Sequence, residues 1–346
     1  MSDLLPMTAN QRRMLVDTRQ LWDAWQAAWR RRAGYAGSLS WKEEKGSDYL
    51  VKVFDDPGTR VRKMRSLGPR SPETERIYQE FRTGKEEAKE RLDSLSRRLS
   101  EQARLNRAVD LGRVPTIASK ILRRLDREGL LGHNVYIAGT NAIYAYEAAA
   151  GVFVRTDLLA TGDLGILMEA RARLRLTVTG EEPASVIDVL RSVDRSFKKA
   201  DEASFRAVNR DGYYVDLIKA AANPPWRDER EGFGEGDLLA SSIANMKWVA
   251  NAPKFEATAV GEDGQPVPMA CPDPRAFALY KLWLGTKDDG RDPVKRARDV
   301  EQAHTVAAIV TQHLPQLPFE PEHLKCFPKP VVDFASEGDD PFFKPF

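Results

Sequence analysis

The chain has 346 residues, a formal charge of only +2, 30% charged and 42% hydrophobic residues. That length has room for about two domains with ordinary cores, and the composition is that of a globular protein, not a disordered or membrane one. With no apolar run of about 18 residues and no basic-then-apolar leader, no membrane partner is expected and a cytoplasmic location is. Cys271 and Cys326 are too few for a metal cage and are expected to be reduced.

Residues 8–32 carry Met14, Leu15, Leu21, Trp22, Trp25 and Trp29 at three- and four-residue steps, which predicts a helix with one aromatic stripe. From 37 to 64, short alternating runs are broken by Lys45-Gly46 and Asp56-Pro57-Gly58, predicting a small antiparallel sheet, with a turn over 66–70. Ser71-Pro72 has the cap and first-turn proline of a helix start. The long helix that follows, to about Leu111, has Ile77, Phe81, Ala88, Leu92, Leu95 and Leu99 along one side. Its apolar spacing is not a sustained heptad and Gly84 interrupts it, so packing within the chain is expected over pairing with a second chain. Positive charge gathers in this third, at Arg30, Arg31 and Arg32 and at Arg60, Arg62, Lys63, Arg65 and Arg70. Either these clusters are a solvated face balanced by nearby acids, or they meet the phosphates of a nucleic acid.

Pro115 opens a helix reaching Gly129, and Val135 to Ala138 then read as a strand running into a Gly139-Thr140 turn. Residues 141–150 are rich in Ala, with Ile143 and Tyr146 at helical spacing. A second strand begins near Thr161, and alternation puts Asp163, Gly165 and Leu167 on one face. Residues 174–179 read as another strand, 180–183 as a break and 184–192 as a helix. Two strands, 205–208 and 213–218, are joined by the hairpin chemistry of Asn209-Arg210-Asp211-Gly212. Asp216 is the single carboxylate of its apolar strand, and such a group needs a hydrogen-bonded partner or a metal. Asp163, with a cation between the two, would supply one; alternatively each Asp closes a turn on the surface.

Pro224-Pro225-Trp226 and 232–236 read as a loop able to close over a ligand, 240–248 as a short helix and 267–270 as a strand. Pro274 begins an apolar helix with Lys281 inside it. A buried lysine is costly unless paired, so Lys281 either snorkels to the surface or reaches phosphates in a cleft. The next helix, from about 291, brings Lys295, Arg298 and Asp299, and the proline-rich tail from Leu314 is expected to be extended and anchored by Phe. The whole reads as α+β, a mixed sheet with helices on one face.

The order Gly139-Thr140, then Thr161-x-Asp163, then Val215-Asp216-Leu217 resembles the polymerase-β-like nucleotidyltransferase superfamily, most closely its GSU2403-type branch of bacterial proteins, over roughly 122–303. The resemblance implies a nucleotidyltransferase-type core at 112–223, an N-terminal helical and small-sheet region at 1–111, and a C-terminal helical domain with its tail at 224–346. It implies transfer of NMP from an NTP to a hydroxyl of an unknown acceptor (small molecule, RNA or protein) with Mg²⁺ or Mn²⁺ as cofactor. Gly139, Thr140, Asn141, Thr161, Lys281 and Arg298 would bind the nucleotide, and Asp163 and Asp216 would be the catalytic, metal-binding carboxylates. The family's second carboxylate position falls at Gly165. Two carboxylates one residue apart lie about 6.6 Å apart along a strand and can converge on metals about 3.5–4 Å apart, whereas Glu169 lies about 20 Å beyond Asp163. The resemblance therefore implies impaired transfer here, or a catalytically inactive protein that binds nucleotide, nucleic acid or a partner. Gly165 also has a purely structural reading, a bulge or a close backbone contact.

Overall fold

Thr8 starts the first helix reciprocally: its hydroxyl accepts from the Gln11 amide while the Gln11 side chain accepts from the Thr8 amide. The computed structural model describes residues 4–55, 61–169, 185–222, 224, 231–288, 290–325, 327–330 and 332–333. β1 (Leu4–Pro6) precedes this helix, α1 (Ala9–Gly34), and a three-stranded antiparallel sheet follows it, β2 (Ser38–Glu44), β3 (Ser47–Asp55) and β4 (Arg62–Pro69). The turn expected over 66–70 is instead the end of β4. The register shifts between Leu50 and Val51, which pair with Gly68 and Ser66, so Leu67 is the extra residue of a bulge, with Gly68 at φ 123 beside it. Ser71 and Thr74 cap each other at the start of α2 (Pro72–Ala108), which packs along α1 within the chain.

The rest of the chain builds α3 (Thr116–Arg127), β5 (Val135–Ala138), a 3-10 turn (Gly139–Ala142), α4 (Ile143–Ala150), β6 (Val152–Val154), α5 (Thr156–Leu159) and β7 (Asp163–Met168). After α6 (Val186–Val193) come β8 (Lys198–Lys199), β9 (Arg206–Val208), β10 (Tyr214–Ala220), β11 (Ser241–Ile243) and α7 (Lys247–Ala250). β12 (Lys254–Val260), β13 (Pro266–Pro272), α8 (Pro274–Lys287), α9 (Pro293–His313) and a 3-10 turn (Pro321–His323) follow. The fold is α+β. Its central sheet has the order β5-β7-β10-β9-β8, with β11 also on β10. The pairs β7/β10 and β10/β11 are parallel and the others antiparallel, so the sheet is mixed as the sequence predicts.

The helix expected over 240–248 divides into strand and helix. Ser241–Ile243 joins the sheet edge, Asn245 turns the chain at φ 61, and only Lys247–Ala250 is helical. The strand expected at 174–179, the break at 180–183, and Pro225 and Trp226 lie outside the described residues. One apolar cluster runs from Val114 to Leu314 through the sheet, α3, α4, α8 and α9. Tyr146 fills its centre, meeting Phe255 and Phe277 edge-on at 5.6 and 5.5 Å while its hydroxyl donates to the Pro272 carbonyl. In the tail, Phe327 is buried near Ala276 with the Arg275 guanidinium over its ring. No helix among the described residues is long and apolar enough to cross a membrane.

Candidate functional site

β5 is buried along its length and ends at Ala138, where Gly139 adopts φ 70, a left-handed conformation that glycine takes without strain. The chain then winds through Thr140 and Asn141 into α4. The Asn141 side chain donates through Nδ2 to the Asp163 backbone carbonyl at 2.8 Å, which ties the turn to the first residue of β7. From the far side, Gln302 of α9 donates to the Thr140 hydroxyl at 3.2 Å and to the Leu158 carbonyl at 2.6 Å, and Arg298 donates to the Ala160 carbonyl at 3.0 Å. Helix α9 is thus docked directly on the glycine turn.

In β7, Gly165 lies opposite Ala138 of β5 on one side and Asp216 of β10 on the other, while Asp163 lies opposite Tyr214. Cross-strand partners share a face and side chains alternate, so Asp163 and Asp216 project to the same face from adjacent strands, offset by two residues. This face is one wall of a cavity of about 1020 Å³. Every residue that the family resemblance assigns to the site lines it: Gly139, Thr140, Asn141, Thr161, Asp163, Gly165, Asp216, Lys281 and Arg298. Lys295 and Arg291 join them from the α9 side, and Ile218, Ile243, Phe277, Tyr280 and Trp283 form an apolar wall. Tyr280 and Trp283 are stacked at 6.4 Å, and Trp248 meets Trp283 edge-on at 5.2 Å.

The polar partners within the cavity differ from the sequence reading in two places. Asp216 does pair, but with Arg206 of β9 rather than through a cation shared with Asp163. Arg206 Nε and Nη2 donate to the two carboxylate oxygens at 2.7 and 2.6 Å, and the guanidinium lies over the Tyr214 ring at 4.8 Å. Hydrogen bonds donated to Asp216 hold the Arg206 pKa above its usual value, with a smaller contribution from the Asp163 charge. Arg206 was missed by sequence reasoning although a signal existed. The hairpin that closes Val208 on Tyr214 sets Arg206 directly opposite Asp216. Lys281, in turn, does not snorkel. It is buried, with its ammonium on Asp299 at 2.5 Å, and Arg291 binds the same carboxylate. Burial lowers the Lys281 pKa and Asp299 opposes that shift.

The residues present do not fit a pair of metal ions. Gly165 has no side chain, Asp216 gives both oxygens to Arg206, and Asp299 is shared by Lys281 and Arg291. Asp163 accepts a hydrogen bond from the Thr161 hydroxyl and is the one carboxylate of the expected set without a basic partner among the described residues. No group of three or more His, Cys, Asp or Glu suited to a metal occurs among the described residues.

A family model described as Nucleotidyltransferase matches residues 116–326, well over half of the chain. The chain belongs to the nucleotidyltransferase family. Comparisons with curated proteins and with solved structures gave no match. The matched region begins at α3 and extends past α9, so it takes in every wall of the cavity and leaves out α1, the β2–β4 sheet and α2. Family membership supports nucleotidyl transfer as the general chemistry. In the unmatched N-terminal third, Arg31 pairs with Glu87 at 3.2 Å, and Arg70 pairs with Asp48 and Glu75 at 3.0 and 2.7 Å and covers Trp41. Arg62, Lys63 and Arg65 are exposed along β4, and Arg60 lies outside the described residues.

Proposed function

We propose that this cavity binds a nucleoside triphosphate and that the protein transfers its NMP group slowly or not at all. The observation that carries this is the register: Gly165 stands beside Asp216, and Asp216 is engaged by Arg206 on both oxygens. Nucleotidyl transfer depends on in-line geometry and on neutralising charge at the phosphoryl oxygens. Binding groups for the phosphates are plentiful, in the amides of the Gly139 turn and in Lys295 and Arg298 from α9. Asn141 Oδ1 is buried without a donor among the described residues, an acceptor that a ribose hydroxyl would satisfy. The apolar wall around Tyr280 and Trp283 suits a base. Mg²⁺ arriving with the phosphates would find Asp163 as its open carboxylate.

The acceptor belongs to the same proposal: a hydroxyl on a small molecule, RNA or protein, in keeping with the bacterial branch that the motifs resemble. For an RNA acceptor, the exposed basic residues of β4 would meet its phosphates. Titration calorimetry with each NTP and a turnover assay with α-phosphate-labelled NTP test the reading together. The expected result is binding with little release of label into product. Rapid turnover would contradict the impairment, and absence of binding for all four NTPs would contradict the function.

A further inference from the structure

We infer that Arg206 is the resident cation of this site, its guanidinium holding both oxygens of Asp216, so that a triphosphate binds to Arg206 directly and without Mg²⁺. The inference rests on the nucleotide reading above and deepens it. Arg206 is fixed on two sides: its fork grips both oxygens of Asp216, and its plane lies on the Tyr214 ring at 4.8 Å. Only Nε and Nη2 are used in that grip. Nη1 makes no hydrogen bond among the described residues, which leaves N–H donors for a phosphate oxygen in a cavity that Arg206 itself lines. A guanidinium stays protonated at any working pH and its planar fork matches phosphate geometry, so it neutralises charge without recruiting an ion.

Gly165 completes the exchange. A carboxylate at that position would bring a third negative charge to the face that holds Asp163 and Asp216, where Arg206 already neutralises only one of the two. The position is also tightly packed, since a Cβ there would lie 3.1 Å from the Ala138 carbonyl oxygen of β5 and that neighbour would have to give way. Glycine at 165 and arginine at 206 therefore act together: one removes a metal ligand, and the other occupies a second.

Calorimetry with ATP on the full chain, in EDTA and then in MgCl₂, tests this with no variant needed. The affinity in EDTA should lie within about threefold of that in Mg²⁺. Arg206→Ala should weaken ATP binding in EDTA by about tenfold or more, and Arg206→Lys, which keeps the charge but not the fork, should fall between. Mn²⁺ titration followed by electron paramagnetic resonance gives a readout without nucleotide: the wild type should show no tight site, whereas Arg206→Ala, freeing Asp216 beside Asp163, should gain one. ATP binding that requires Mg²⁺, or that Arg206→Ala leaves unchanged, would overturn the inference while leaving nucleotide binding intact. No binding of ATP or of any of the other three NTPs in either buffer would overturn the nucleotide reading and the inference with it.

Discussion

Two acid–base groupings face the same cavity from opposite walls, and they differ in depth. On the sheet wall the side chains of Arg206 and Asp216 are 40% and 14% exposed; on the helix wall those of Lys281 and Asp299 are 8% and 2% exposed, with Arg291 as a third member. Arg206 is open enough to water to turn its unused donors to a ligand while it keeps Asp216. The deeper group has no such freedom, because opening it strands a charge in the core. Lining a cavity is therefore not enough to mark a ligand-binding side chain. The family resemblance put Lys281 on the nucleotide, yet its charge is already neutralised inside the fold, whereas the shallower Arg206 has donors to spare.

The largest effect comes from breaking the deep group. Asp299→Ala leaves Lys281 buried without its partner and should cost about 3–5 kcal/mol in urea unfolding. A loss below about 1 kcal/mol would place Lys281 in contact with water and erase the contrast.

A carboxylate as deep as Asp299 but less fully paired sharpens the comparison through pH. Glu147 is buried, accepts from Arg113 at 3.1 Å and from the Val154 amide, and its Oε2 has no partner among the described residues. Burial raises its pKa from 4.5 to about 7, with Arg113 pulling it down. Between those values the folded state holds a proton that the unfolded chain has lost. The stability this contributes is fully present below about 4.5 and is lost as pH rises through about 7, by on the order of 3 kcal/mol. Thermal unfolding across that window should show the decline in the wild type and a flatter profile in Glu147→Gln.

Adding to the shallow group should cost less. Gly165→Asp presses a Cβ toward the Ala138 carbonyl and places a third carboxylate beside Asp163 and Asp216, for a loss of about 1–3 kcal/mol by chemical denaturation. Smallest is Arg206→Ala, at about 1 kcal/mol, because the Arg206 side chain is itself 40% exposed. A loss as large as that of Asp299→Ala would make Arg206 a structural residue.

The parts of this site that could be read from the sequence are those encoded locally. The strand ending at Ala138, the Gly139 turn and the Ala-rich helix follow one another in the chain, and period-two alternation was enough to set Asp163 and Gly165 on one face. The pairing of Asp216 with Arg206 depends on hairpin register, which local pattern shows only when residues are counted outward from the turn. Gln302 reaches Thr140 from a helix far along the chain, and no local periodicity announces such a contact. Short strands such as Val152–Val154 and Ser241–Ile243 carry too few residues to display a period, so packing rather than pattern decided them. Lys281 was ambiguous for a related reason: its fate turned on Asp299, one helix away.

The most direct measurement is anomalous diffraction from crystals soaked with ATP and Mn²⁺. The account predicts phosphate density between the Gly139 turn and Arg206, with the Arg206–Asp216 pair intact and no Mn²⁺ bound to Asp216. A Mn²⁺ peak bridging Asp163 and Asp216, with Arg206 turned away, would contradict it.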